Sequence, residues 1–141
     1  MTKEPAWVSV DDAISLNKVI VAATGEPHGV LGRGMVDTGL ARPKFQFHYG
    51  GETHISRLAA HMIYGVGKNH GFQQGNKRTA WACARYFIHL NGYDVRQSVD
   101  AEINNGWQLK LAKLVEALMS DDSVFDELVL SIGVMLVPVG R

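Results

Sequence analysis

The chain is short of cysteine, of net charge and of long hydrophobic runs, and each shortage removes a class of explanation. Its one cysteine, Cys83, permits no internal disulfide, so a reducing compartment is expected. Cys83 sits in the apolar stretch TAWACARYFI with no histidine near it in a nucleophile pattern, and reads as buried and inert. Lys and Arg number 14 and Asp and Glu number 14, for a formal charge of zero. That balance argues against the polyanion-binding surface of a nucleic-acid protein, while a local phosphate site stays open. The start, MTKEPAWVSVDD, lacks the apolar core of a secretion signal, and VLSIGVMLVPVGR at the end is too short to span a bilayer. A soluble, cytoplasmic protein without membrane or direct nucleic-acid contacts is expected. There is also no internal repeat, low-complexity tract or interdomain linker. What is present is a 46% hydrophobic chain of 141 residues, enough for one domain over 1–141 with one core.

Ser9 and Asp12 have capping-box spacing, and Ile14, Leu16, Val19, Ile20 and Ala23 follow in a helical pattern, predicting a helix from about 10 to 23. The next segment, HGVLGRGMVDTGLARPKFQFHYGG, has six glycines and a proline in 24 positions and reads as a loop. Within it KFQFHY alternates with a period of two, as in a short strand or hairpin arm over Lys44 to Tyr49. A second helix, with Thr53 as its cap, is read from Ile55, Leu58, Ala59, Met62, Ile63 and Val66, weakened toward Gly65 and Gly67. His70 then stands at or just past its end. A central helix is expected from Asn76 to Leu90, apolar over most of its girth and stopped by Asn91-Gly92. Further on, DAEINNG reads as a short helix ending near Gly106, and WQLKLAKLVEALM as a longer one burying Leu109, Leu111, Leu114, Val115, Leu118 and Met119. Ser123 and Asp126 repeat the capping-box spacing before FDELVLSIGVML.

Residues 70 to 80, HGFQQGNKRTA, carry the chemistry. If Asn76 caps the central helix, the first-turn N–H groups have no acceptor inside the helix, and a phosphate there completes their hydrogen bonds at the positive end of the dipole. Lys77 and Arg78 add two cations where acidic residues are normally preferred, a local cost of about 0.3–1 kcal/mol per charge that a phosphate reverses. His70 precedes Asn76 by six positions, with Gly71 and Gly75 allowing the loop to fold back, so its imidazole can take a proton from an incoming hydroxyl. The plainer alternatives are solvated surface cations and a satisfied helix-end histidine. His54 and His61 lack a third ligand for zinc and read as structural or surface groups. Trp81 and Trp107 read as core packing.

The string His70, Phe72, Asn76, Lys77, Arg78, Thr79, Ala80 resembles the central motif of the Fic/Doc family, in particular its Doc-like, death-on-curing branch. VLGRGMVDTGLARP resembles the glycine-rich lead-in, ISRLAAHMIYGVGKNH the preceding helix and AWACARYFIHLNGYDV the central helix with its exit, so the likeness covers about 8–130. It implies an all-α fold with a small β-hairpin or flap, the flap matching Lys44 to Tyr49. It implies His70 as the catalytic base with Lys77 and Arg78 as its catalytic and phosphate-binding partners. Phe72 is the loop anchor. It further implies Gly75, Asn76, Lys77, Arg78 and Thr79 as nucleotide-binding residues, and Gln74 and Asn76 as candidate metal positions.

Three positions depart from the family pattern. Gln74 replaces the usual acidic magnesium ligand, which makes it a poorer match to a hard cation. Gly71 replaces the common proline, implying a less pre-set loop. Lys77 and Trp81 stand where the adenylyl-transferring branch has glycine and a second arginine, which removes a phosphate clamp. The resemblance therefore implies a toxin that uses ATP or another nucleoside triphosphate to phosphorylate a Ser or Thr of a cellular protein, with elongation factor Tu as the target. A small antitoxin would act in trans. The alternatives are an adenylyltransferase using the same site and a catalytically weak protein-binding module.

Overall fold

The computed structural model describes residues 3–96 and 100–139, which build six α-helices and one two-stranded antiparallel sheet. The capping box at Ser9 forms as expected, and helix α1 runs Val10–Ala23 with Ala13, Asn17 and Val21 buried. Helix α3 runs Ile55–Asn69 and α4 Asn76–Leu90; they pack against each other at the centre of the core, which also takes in Leu58, Met62, Ile63, Phe87 and Ile88. Cys83 is fully buried on α4, and burial, with the Asp12 charge adding to it, pushes its thiol up to about 12. It is inert, as its apolar setting predicts.

The largest departure from the sequence reading is α2, Arg33–Gly50, an unbroken helix where composition predicted a loop and where Lys44 to Tyr49 was expected to be extended. Those residues form its last turns instead, with Phe45 and Tyr49 meeting one helical turn apart at 5.0 Å. Two features reconcile the composition with the conformation. Pro43 cannot donate to the Gly39 carbonyl one turn earlier. That carbonyl lies against α3, where a Cβ added to Gly65 would come within 2.2 Å of it. The glycines at 39 and 65 are therefore places where two helix backbones touch, and α3 continues through Gly65 and Gly67 without a break.

Smaller corrections have local causes. Thr53 does not cap α3; the N-cap is His54, and the Glu52 carboxylate accepts the Thr53 and His54 N–H groups at 2.9 Å each. Helix α5 runs Ala101–Leu118 straight through Gly106, and Leu109 is exposed, because the buried stripe is Leu111, Leu114, Val115 and Leu118. Asp121 rather than Ser123 caps the final segment, a 3₁₀ turn Asp122–Val124 that leads into α6, Phe125–Met135. Strand β1 (Tyr93–Val95) pairs antiparallel with β2 (Leu136–Pro138), tying the exit of α4 to that of α6.

His54 and His61 are structural, as read, and do not act together. His54 pairs with Glu52 at the surface, whereas His61 is buried against Phe125 and its Nδ1 accepts from Arg42 Nε at 3.2 Å. Burial first, then the Arg42 and Arg57 charges, lower the His61 imidazole to about 4. The unfolded chain takes up this proton near the ordinary value of about 6.5 and the folded chain refuses it until about 4. Stability is thus complete above pH 6.5 and falls as pH drops toward 4, by about 3 kcal/mol from this group. Denaturant melts across that range should give a shallower loss for His61→Gln than for the wild type; parallel profiles would assign the acid sensitivity to other groups.

Candidate active site at the mouth of α4

Helix α3 ends in His70, which adopts the left-handed conformation (φ 49, ψ 45) and is, among the described residues, the one non-glycine with positive φ. A residue with a Cβ gives up about 1–2 kcal/mol to sit there. The ring is exposed and no described residue bonds to it. Its backbone is strained and its side chain is uncommitted, the combination expected of a group held out for use.

The loop after His70 is clamped from three sides. Val30 and Phe72 form an antiparallel bridge, Leu31 N–H donates to Gly71 O at 2.8 Å, and Gln73 N–H donates to Gly29 O at 2.9 Å. The extended segment beside the motif is therefore the one around Val30, which corrects the assignment of the flap to Lys44 to Tyr49. Phe72 is the buried anchor expected of it, 1% exposed. The Asn76 amide brackets Phe72, accepting its N–H at 3.1 Å and donating to its carbonyl at 2.8 Å. Gly71 fits because Val36 of α2 occupies the space beside it; a Cβ there would lie 2.6 Å from Val36 Cγ2. Close packing, rather than a looser loop, is what that glycine provides.

From α1, Asn17 contributes a contact that sequence reasoning missed. It is fully buried, and its Nδ2 donates to Gln74 O at 2.8 Å and Thr79 Oγ1 at 3.0 Å. Thr79 thus turns its hydroxyl into the protein and holds the start of α4. The readable signal was Asn17 itself, a polar residue at i+4 from Ala13 and i−4 from Val21 on the buried stripe of α1.

The N-cap of α4 is Gly75, in the left-handed conformation at φ 74 and with no side-chain cap; Asn76 is the first helical residue, which corrects its expected capping role. The first backbone bond into the helix is Thr79 N–H to Gly75 O, and no described residue accepts the N–H of Asn76, Lys77 or Arg78. Arg78 folds back over this mouth: its Nη2 lies 3.5 Å from the place a Gly75 Cβ would take. It pairs with Glu26, and Thr24 bonds both partners. The Thr24 hydroxyl, and then Arg78, hold the Glu26 carboxyl below the usual carboxylate range. Lys77 points the other way and pairs with Glu116 of α5 at 2.6 Å. Open backbone donors and the Arg78 guanidinium thus stand at the mouth, Lys77 turns toward α5, and each cation is paired with a carboxylate.

Magnesium fits these residues poorly. Gln74 and Asn76 offer amide oxygens only, the Asn76 amide is engaged with Phe72, and the described residues hold no cluster of three His, Cys, Asp or Glu able to bind a metal.

Beside the mouth, α4 and α5 enclose a cavity of about 510 Å³, with Val95 and Met135 also on its wall. Trp81 and Trp107 line it and are half-buried, so they are only partly the core residues they were expected to be. Lys77, Arg78, Arg85 and Arg96 line it with them, an aromatic and basic combination that was not legible in the sequence.

An exposed, left-handed histidine six residues ahead of a helix whose first-turn amides are open and whose first turn carries two cations is an arrangement suited to holding an anion. A model of the Fic/DOC family matches residues 7–88, from just before α1 to near the end of α4. The chain belongs to the Fic/DOC family. It is also 38% identical over 72 residues to a protein named Toxin Doc from Mycolicibacterium smegmatis, across 49% of this chain and 54% of that one. The chain therefore spans about half the length of this curated relative.

Proposed function

We propose that this protein is a Doc-like toxin that transfers the terminal phosphoryl group of ATP or another nucleoside triphosphate to a Ser or Thr hydroxyl of a cellular protein. The observation that carries the reading is the open N-terminus of α4, with Arg78 folded back over it, in a chain whose exposed, left-handed His70 stands six residues before Asn76. In the proposed step His70 accepts the hydroxyl proton while the oxygen attacks the terminal phosphorus. The bond from that phosphorus to its bridging oxygen breaks, and a nucleoside diphosphate leaves. The α4 amides, Lys77 and Arg78 stabilise the charge on the transferring group, and Glu26 and Glu116 yield their cations to it. Magnesium, where used, arrives with the nucleotide, with Gln74 and Asn76 offering at most weak donors. Elongation factor Tu is the proposed target and a small antitoxin acting in trans the proposed partner, both by resemblance to the Doc branch. Among the described residues no helix is long and apolar enough to cross a membrane, which is compatible with the proposed cytoplasmic setting.

The test is to incubate the full chain with ATP and bacterial cell extract and to weigh the modified protein intact. An added phosphoryl group is the expected result. An adenylyl adduct would keep the site and overturn the kinase reading, and no adduct with any nucleotide would leave a binding module.

A further inference from the structure

Asn17 is fully buried on α1, and its amide is only half satisfied. Nδ2 uses both of its donors, on Gln74 O at 2.8 Å and on Thr79 Oγ1 at 3.0 Å, while Oδ1 meets no partner among the described residues. The Gln74 carbonyl can only accept, so the nitrogen must face it and the amide cannot be turned round to pair its oxygen. Burying an amide with an unpaired oxygen opposes folding. An apolar residue of similar size would fill the same place on the α1 stripe without that cost, so stability does not account for the asparagine.

The direction of one peptide does account for it. Gln74 and Gly75 share a planar, trans peptide unit, whose C=O and N–H point opposite ways. With the carbonyl held toward α1, the Gly75 N–H is turned away from α1, and no described residue accepts it. Gly75 is left-handed at φ 74 and Asn76 opens the right-handed helix, a succession in which neighbouring N–H groups converge on an anion. The Thr79 bond ties the same amide to the first turn of α4, so one side chain sets the turn and the helix against each other. Asn17 Nδ2 and Arg78 Nη2 each lie 3.5 Å from the place a Gly75 Cβ would take, closing on the turn where glycine has no side chain.

We infer that Asn17 is a positioning residue for phosphate: buried and out of reach of any ligand, it acts through Gly75, aiming that N–H alongside those of Asn76 and Lys77. The inference rests on the proposed phosphoryl transfer and deepens it.

Calorimetric titration of the full chain with inorganic tripolyphosphate, together with ¹H–¹⁵N spectra, tests it. In the wild type the ligand should shift the amide resonances of Gly75, Asn76 and Lys77. Asn17→Leu keeps the volume and removes both donors and the unpaired oxygen. It should bind tripolyphosphate at least about 10-fold more weakly, the worth of a hydrogen bond to a charged group, and lose the Gly75 response, yet melt within about 5 °C of the wild type. Ala13→Gly, which loosens the same buried stripe one turn earlier, should lower the melting temperature and leave the affinity within about twofold. Should Asn17→Leu fail to fold, Asn17→Ala carries the same comparison. An Asn17 variant that binds within about twofold of the wild type, a loss of affinity matched by Ala13→Gly, or a wild type that does not bind tripolyphosphate overturns the inference. Its failure is separable from that of the enzyme reading. A phosphoryl adduct made by the wild type, with unaltered tripolyphosphate affinity in Asn17→Leu, removes the positioning role and keeps the reaction; an Asn17-dependent affinity without any adduct does the reverse.

Discussion

Under the proposed function, replacing His70 by alanine should slow ATP-dependent modification of a target protein by about 10²–10⁴-fold, the usual contribution of a positioned general base. Stability should barely change, because the ring is exposed and bonds no described residue. The left-handed backbone at φ 49 complicates alanine, so His70→Asn is the better companion: asparagine tolerates that conformation and cannot serve as the base. Arg78→Ala should be comparably damaging, by about 10²–10³-fold, for two reasons. It removes a cation from the mouth, and it leaves the Glu26 carboxylate there with no opposing charge to repel an incoming phosphate. Neutralising that carboxylate as well, in Arg78→Ala with Glu26→Gln, should recover part of the loss. Single-turnover rates followed by intact mass decide the matter. A His70→Asn protein retaining more than about a tenth of the wild-type rate would remove the histidine from the chemistry.

The largest expected effect on stability comes from one methyl group. Gly65→Ala places a Cβ 2.2 Å from the Gly39 carbonyl oxygen, in a contact between two backbones where no side chain can swing aside. Helices α2 and α3 must separate, at a cost of about 3 kcal/mol or more, at the upper end for overpacking. For a chain of this length that is a fall of about 10 °C in the thermal midpoint. Gly106→Ala is the control, since the same methyl on α5 meets nothing within 4 Å and should stabilise by about 0.5–1 kcal/mol through helix propensity alone. Opposite signs for one chemical change would locate the α2–α3 contact. A Gly65→Ala melt close to that of the wild type would mean that the two helices do not touch there. Since α2 supplies the Val36 wall against Gly71, the activity of Gly65→Ala should fall with its stability.

The sequence alone carried the helices whose buried face repeats every three or four residues, and it carried the candidate site residues that are contiguous in the chain. Helices α1, α3 and α4 fall at or close to their expected positions because each presents an apolar stripe and needs only some partner to bury it. His70, Phe72, Asn76, Lys77 and Arg78 lie within nine positions, so one turn of loop and one turn of helix are enough to gather them. Tertiary structure decided what depends on distant chain or on a neighbour's shape. Composition made α2 a loop, and only α3 shows why glycine and proline stand in a helix: the backbones approach closely enough to exclude a side chain at Gly39 and Gly65. Gly106, outside any such contact, was read as a break for the same compositional reason, yet α5 passes through it. Glu26 and Glu116 reach Arg78 and Lys77 from 52 and 39 residues away, and Asn17 reaches Gln74 from 57. Trp81 and Trp107 became a cavity wall only when α5 was laid beside α4. Local pattern fixes which face of a helix is buried; it carries no information about what that face meets, because the partner is chosen by the packing of the whole chain.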